Sequence, residues 1–221
     1  MTGSWGSVLA ELIPLALVIA LSPLSIIPAV LMLQTPRPRP TGLAFVAGWL
    51  IGLAALTAIF VTVSGAIGGF EKPPSWASWL RIVIGAALVV FGIVRFVRRH
   101  ASAHQPKWLR SMTTLTPVKA AGTAAVLTVA NPKVLFLCVA AGLAIGSAGL
   151  GDAVWLAVVY FAVVAGSTVA LPILAYVVSG GRLDEPLARL KDWMERNHAT
   201  LMAVILVVIG LLVLYKGIHA L

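Results

Sequence analysis

Apolar residues run through this chain in long, nearly unbroken blocks rather than at the spacing of a half-buried helix or strand. Proline, glycine and clusters of charge divide them into six, at about residues 8–33, 43–67, 76–94, 118–145, 153–178 and 200–218. A bilayer core of roughly 30 Å takes about 20 apolar residues of helix to cross, so each block is read as a transmembrane helix. Lipid offers no partner to open backbone groups, which selects helices. The third block is the shortest and holds Arg81 near its start. The pattern predicts an all-α integral membrane protein, a single transmembrane domain over residues 1–221 with six transmembrane helices.

Composition agrees with this reading. Only 10% of the 221 residues are charged and 60% are hydrophobic, against about 25% charged in soluble domains, and the mean hydropathy is +1.03. A net charge of +9 would suggest nucleic acid for a soluble protein, but here the basic residues fall between the blocks. No nucleic-acid partner is expected; membrane lipids are. Loops after the first, third and fifth blocks collect Arg37, Arg39, Arg95, Arg98, Arg99, Lys107, Arg110, Lys119, Arg182, Arg189, Lys191 and Arg196, whereas the opposite loops have Lys72 and Lys216. By the positive-inside rule the basic loops face the cytoplasm, which makes the topology N-out, C-out. The first block is far longer than a signal-peptide core and is read as a retained helix.

Two cytoplasmic connections differ in character. Residues 95–117 form a polar loop, and residues 183–197, with Leu183, Leu187, Leu190 and Met194 at helical spacing, form an amphipathic segment suited to the membrane surface or to a packed connector. Asp184 suits an N-cap and Pro186 a first turn.

The six blocks divide into two sets of three, about 7–95 and 118–220, each opening on a long run interrupted at similar depth. The first reads "ALSPLSIIPAVLML" and the fourth "TVANPKVLFLCVAA". Ser22 follows Val8, and Asn131 follows Val118, by nearly the same interval, which puts both interruptions roughly 20 Å into their helices at ~1.5 Å per residue. An odd number of spans per half requires the second half to enter from the opposite face. The expected architecture is two inverted three-helix repeats with broken helices one and four meeting near the midplane.

Proline removes a donor and displaces the carbonyl one turn back. The hydroxyls of Ser22 and Ser25 beside Pro23, and the Asn131 amide beside Pro132, add donors and acceptors where the backbone opens. Lys133 is the sharpest feature, because a lysine at mid-membrane costs on the order of 3 kcal/mol and faces a bundle interior or an aqueous cavity. The blocks offer no central carboxylate to it: Glu11 and Asp152 lie near span ends and Glu71 in a short outer loop. Its remaining partners are freed carbonyls, polar neighbours such as Ser167 and Thr168, water, or an anionic substrate group. Ser22, Pro23, Ser25, Asn131, Pro132, Lys133, Ser167 and Thr168 are therefore the candidate substrate-binding residues.

Other features have plainer readings. Gly48 and Gly52, and Gly142 and Gly146, are pairs four apart that suit close helix contact or a subunit interface, so a homodimer is expected. Trp49, Trp76, Trp79, Trp155 and Tyr215 lie near block ends, as interfacial aromatics do. Cys138 is a small core residue with no second cysteine to pair. His100 and His104 have no third ligand, so no metal and no cofactor is expected. No nucleophile–base constellation shares a depth, which argues against an enzyme, and no nucleotide-binding loop is present, which leaves an ion gradient or a partner to drive any transport.

The stretch "ALSPLSIIPAVLMLQTPRPRPTGLAFVAGWLIGL" with "ANPKVLFL" resembles the peptidoglycolipid-addressing (sulfolipid-addressing) family of mycobacteria and related actinobacteria, within the lysine-exporter superfamily. The resemblance implies a secondary exporter of the cytoplasmic membrane that moves glycolipid or glycopeptidolipid products toward the cell envelope, with Ser22, Pro23 and Ser25 in one functional break and Asn131, Pro132 and Lys133 in the other. Amino-acid exporters of that superfamily carry Gly-Pro where this chain has Ser22-Pro23, which weakens a transfer of amino-acid specificity. Export of amino acids or other small metabolites, or a non-transporting scaffold for lipid-export machinery, are the alternatives.

Overall fold

The computed structural model describes residues 5–66, 86, 90, 93, 94, 112–179, 184–197, 200, 203, 204, 207, 210, 211 and 218. Its contacts divide the chain into two units, Met1–Gly69 with Pro106–Arg189, and Phe70–Gln105 with Leu190–Leu221. Among the described residues there are helices and turns and no strand.

The first unit holds α1 (Trp5–Ala20), α2 (Pro23–Met32), α3 (Pro38–Ala66), α4 (Pro117–Ala130), α5 (Pro132–Ser147) and α6 (Val154–Ser179). Local chemistry sets the starts. Pro38 and Pro40 occupy the first turn of α3 and Pro117 the first position of α4, where a missing N–H costs nothing. Thr35 closes α2 by donating its hydroxyl to the Met32 carbonyl, 2.8 Å. Between α5 and α6 the chain reverses through Gly149 (φ 67°) and Gly151 (φ 56°), left-handed positions that favour glycine.

Two helices, α3 and α6, are long and apolar enough to cross a membrane singly, and two bent pairs qualify if each is one span. The pairs are α1 with α2, bent by 56°, and α4 with α5, bent by 75°. Both predicted breaks are therefore present, at Ser22-Pro23 and Asn131-Pro132. Of the blocks at 76–94 and 200–218, the described residues Ala86, Val90, Ile93, Val94, Thr200, Ala203, Val204, Val207, Gly210, Leu211 and Ile218 are helical; the rest, with Arg81 and the loop 95–111, lies outside the described residues. The amphipathic segment is a helix, α7 (Asp184–Arg196), with Pro186 in its first turn. Met194 is buried while Trp193 is exposed, and Arg189 pairs with Glu185 one turn before it on the surface.

Packing centres on α3, which contacts α4, α5 and α6. A Cβ on Gly48 would lie 2.2 Å from the Ala121 carbonyl oxygen, and one on Gly52 would lie 2.7 Å from the Thr128 hydroxyl. Further along, a Cβ on Gly142 would meet Phe60 at 2.6 Å and one on Gly146 would meet Ser64 at 2.6 Å. Both glycine pairs are thus used inside the chain, letting backbones approach as small residues do in membrane bundles. The same contacts fix direction: Gly48, Gly52, Phe60 and Ser64 meet Ala121, Thr128, Gly142 and Gly146 in order, so α3 runs parallel to the α4–α5 pair. It runs antiparallel to α6, where Gly42 faces Ile173 and Leu50 faces Gly166. Trp49, expected at an interface, is instead fully buried, stacked on Phe45 with centroids 6.4 Å apart. The reason is that α3 begins at Pro38, three turns before it, and Gly166 makes room for the indole.

The outer surface is apolar. Ile51 and Ile59 of α3, Val126 of α4, Phe136 of α5 and Leu171 of α6 are all more than half exposed, as lipid-facing side chains are and as a water-facing surface is not. Gly122 separates the two roles of glycine, since a Cβ there would meet nothing within 4 Å. Thermal unfolding in detergent should register this: Gly48→Ala and Gly142→Ala lower the midpoint, whereas Gly122→Ala leaves it unchanged or raises it, by up to about 1 kcal/mol of helix propensity.

Candidate functional site

Both breaks have the same backbone form. Ser22 (φ −75°, ψ 120°) and Asn131 (φ −88°, ψ 104°) are extended residues that stand before a proline and start the following helix, the conformation that a residue before proline prefers. The side chains then part company. Asn131 caps α5, its Oδ1 accepting the Lys133 backbone N–H at 3.1 Å, so the amide is consumed by its own helix. Ser22 makes no such cap; its carbonyl accepts the N–H groups of Ser25 and Ile26 at 3.0 and 3.3 Å. Its hydroxyl is left over.

Three polar groups at the breaks are buried without a hydrogen-bond partner among the described residues: the hydroxyls of Ser22 and Ser25, and the ammonium of Lys133. The two serine side chains are fully enclosed, at 0% and 1% exposure. An orphaned buried hydroxyl costs about 1–3 kcal/mol and an orphaned charge more, so these atoms are the costliest polar groups at the breaks.

The pair Ser167 and Thr168 divides between two tasks. Ser167 turns back on its own helix, donating to the Val164 carbonyl at 2.8 Å. Thr168 reaches across to α1 and donates its hydroxyl to the Ala20 carbonyl. Ala20 lies at the end of α1, where the break deprives its carbonyl of the helical donor it would otherwise have. Of the pair considered as company for Lys133, Thr168 thus serves the first break and Ser167 its own helix. The link between them was not readable from sequence, because it depends on which helix lies beside which break.

The second break leans away from α3. Along α3 the contact moves only from Gly52 to Thr57, while its partner advances from Thr128 to Gly142. The surplus length goes into the 75° bend, which carries Asn131, Pro132 and Lys133 off a straight path. α1 packs against both α5 and α6, so the first broken helix lies between the second half of the other and the helix that supplies Thr168. Cys138 is fully buried.

Apolar helices interrupted around a few enclosed polar groups are the marks of an α-helical membrane protein. The chain matches the profile of the family described as Sap, sulfolipid-1-addressing protein, over residues 12–219. It belongs to that family. No curated protein matches the chain, and no solved structure does.

The two capping bonds have measurable weight. Asn131→Ala removes a helix N-cap worth ~1 kcal/mol, and Thr168→Val strips the Ala20 carbonyl of its donor, worth about 1–3 kcal/mol. Each should lower the thermal unfolding midpoint, while Thr168→Ser, which keeps the hydroxyl, and Ser147→Ala, on an exposed turn, should not.

Proposed function

We propose that this protein is a secondary exporter of the cytoplasmic membrane that moves an anionic, lipid-linked product toward the cell envelope through a site between its two helix breaks. The observation that carries the proposal is the buried Lys133 ammonium with no partner among the described residues, one residue inside a broken helix. A cation held there at a cost of several kcal/mol is reasonable where an anionic group visits it. The family's description names a sulfolipid, whose sulfate ester is such a group. The Asn131 cap holds Lys133 at the first turn of α5, and the positive end of that helix adds to the attraction.

Alternating access then follows from an inverted repeat of six spans, N-out and C-out, like that of the lysine-exporter superfamily. Two features support the repeat. The breaks share a backbone conformation, and each straight helix runs parallel to the broken span of the other half. For α3 and the α4–α5 pair the glycine contacts give the direction. For α6 and the α1–α2 pair the order is given by Ala20 beside Thr168 and by Leu33 and Ile173 meeting at Gly42. A two-fold axis in the membrane plane exchanges these two pairings, and rocking of one half against the other would expose the breaks alternately.

The test uses the full chain in liposomes, with flipping of a labelled sulfated glycolipid measured beside efflux of an amino-acid panel. Lys133→Ala is expected to lower lipid flipping at least about tenfold, the equivalent of losing one charge-assisted bond. Lys119→Ala, on the exposed face of α4, should match the parent protein. Efflux of amino acids with no lipid movement would contradict the lipid reading, and flipping that survives Lys133→Ala would contradict the site.

A further inference from the structure

Around the first break the buried side-chain polar atoms without a partner among the described residues are hydroxyls, and none is charged. Ala20 contributes a carbonyl freed by the break, which the Thr168 hydroxyl approaches. Four residues beyond Thr168, α6 carries Pro172, which has no N–H to give the Thr168 carbonyl, so a second backbone acceptor is released at the same level. Ser22, in the extended link directly after Ala20, has a fully buried hydroxyl without a partner, and Ser25 has another. The α1–α2 pair runs parallel to α6, since Ala20 meets Thr168 while Leu33 and Ile173 meet at Gly42. The link 21–22 therefore passes alongside the turn 168–172.

The broken helix and the proline-bearing turn of α6 thus lie side by side, with serine and threonine hydroxyls at that level. Nitrogen donors are few here, because Pro23 and Pro172 have none and the Ser22 N–H is taken by the Ile19 carbonyl at 3.1 Å. A group rich in oxygen lone pairs suits a cation. Among the described residues no group of three His, Cys, Asp or Glu side chains could hold a metal, and a divalent ion would require carboxylates to offset its dehydration. Carbonyl and hydroxyl oxygens without formal charge suit a small monovalent ion, the arrangement by which unwound transporter helices coordinate sodium.

We infer that the first break and the adjoining turn of α6 form a sodium site, in which the Ala20 and Thr168 carbonyls and the Ser22 and Thr168 hydroxyls bind one Na⁺. The ion ties α1 to α6 across the two halves of the chain, so its arrival and departure bias the opening of the break. A sodium gradient then supplies the driving force that a chain without a nucleotide-binding loop needs. The site is separate from Lys133 and stands whether or not that lysine takes a substrate.

The experiment measures ²²Na⁺ binding to the purified full chain by scintillation proximity. Thermal unfolding is followed in parallel in NaCl, KCl and choline chloride at equal ionic strength. Saturable binding near one ion per chain is expected, with a rise in the unfolding midpoint in NaCl that choline does not reproduce. Ser22→Ala and Thr168→Val should weaken Na⁺ at least about tenfold, the equivalent of losing one ligand bond of ~1.4 kcal/mol. Thr168→Ser, which keeps the ligand oxygen, should retain binding, and so should Lys133→Ala, which separates this site from the export site. Equal midpoints in the three salts with no saturable ²²Na⁺ signal would overturn the proposal and assign the hydroxyls to water, as would Na⁺ binding that both hydroxyl variants leave intact.

Discussion

Hydrocarbon has no hydrogen bonds to offer, and that shortage governs every polar atom in this chain. A continuous helix satisfies its own backbone and can lie in lipid unaided; a helix broken at Ser22-Pro23 or Asn131-Pro132 cannot. The freed groups have to turn inward and be met there. Asn131 meets one N–H from within its own helix, and Thr168 meets the Ala20 carbonyl from a neighbour more than a hundred residues away in sequence. What remains unmet, the hydroxyls of Ser22 and Ser25 and the ammonium of Lys133, is enclosed, while Phe136 and Val126 point outward. The outer surface is as apolar as the packed interior, and the polar atoms are confined to small enclosed places within it.

Such breaks need a frame that does not yield with them, and α3 supplies it. Gly48 and Gly52 bring α4 against it before the second break, and Gly142 and Gly146 bring α5 back to it afterwards. The bend of 75° is thus anchored on both sides by contacts that a single methyl group would obstruct. The first break is held differently, by a hydrogen bond to α6 rather than by close backbone contact. A bond through one hydroxyl can be exchanged at small cost, whereas a close-packed glycine seam cannot, so of the two breaks the first is the better suited to move.

The breaks were legible because they are local. Proline after a small polar residue, inside an apolar run, states its backbone consequence directly, and the outer ends of the α4–α5 pair and of α6 fell within a few residues of the apolar blocks that predicted them. Lys133 was legible from its cost alone. The pairing of elements was not. Gly48, Gly52, Gly142 and Gly146 read equally well as contacts within the chain or between subunits, and only the assembled helices show them used within it. Trp49 looked interfacial because the apolar block began later than the helix, which continues back through Pro40 to Pro38. Ser167 and Thr168 are adjacent and alike in sequence, yet helix rotation turns one onto its own backbone and the other onto α1.

The central claim is that water and substrate reach the inside of this bundle at Lys133 while lipid covers its outside. Cysteine accessibility tests it most directly: in a Cys138→Ala background, Lys133→Cys and Phe136→Cys are each exposed in membranes to a charged methanethiosulfonate reagent. Phe136 is 70% exposed and the Lys133 ammonium is buried, so a protein surrounded by water would react faster at 136. The account predicts the reverse, with modification at 133 and none at 136. Fast reaction at 136 with silence at 133 would contradict it.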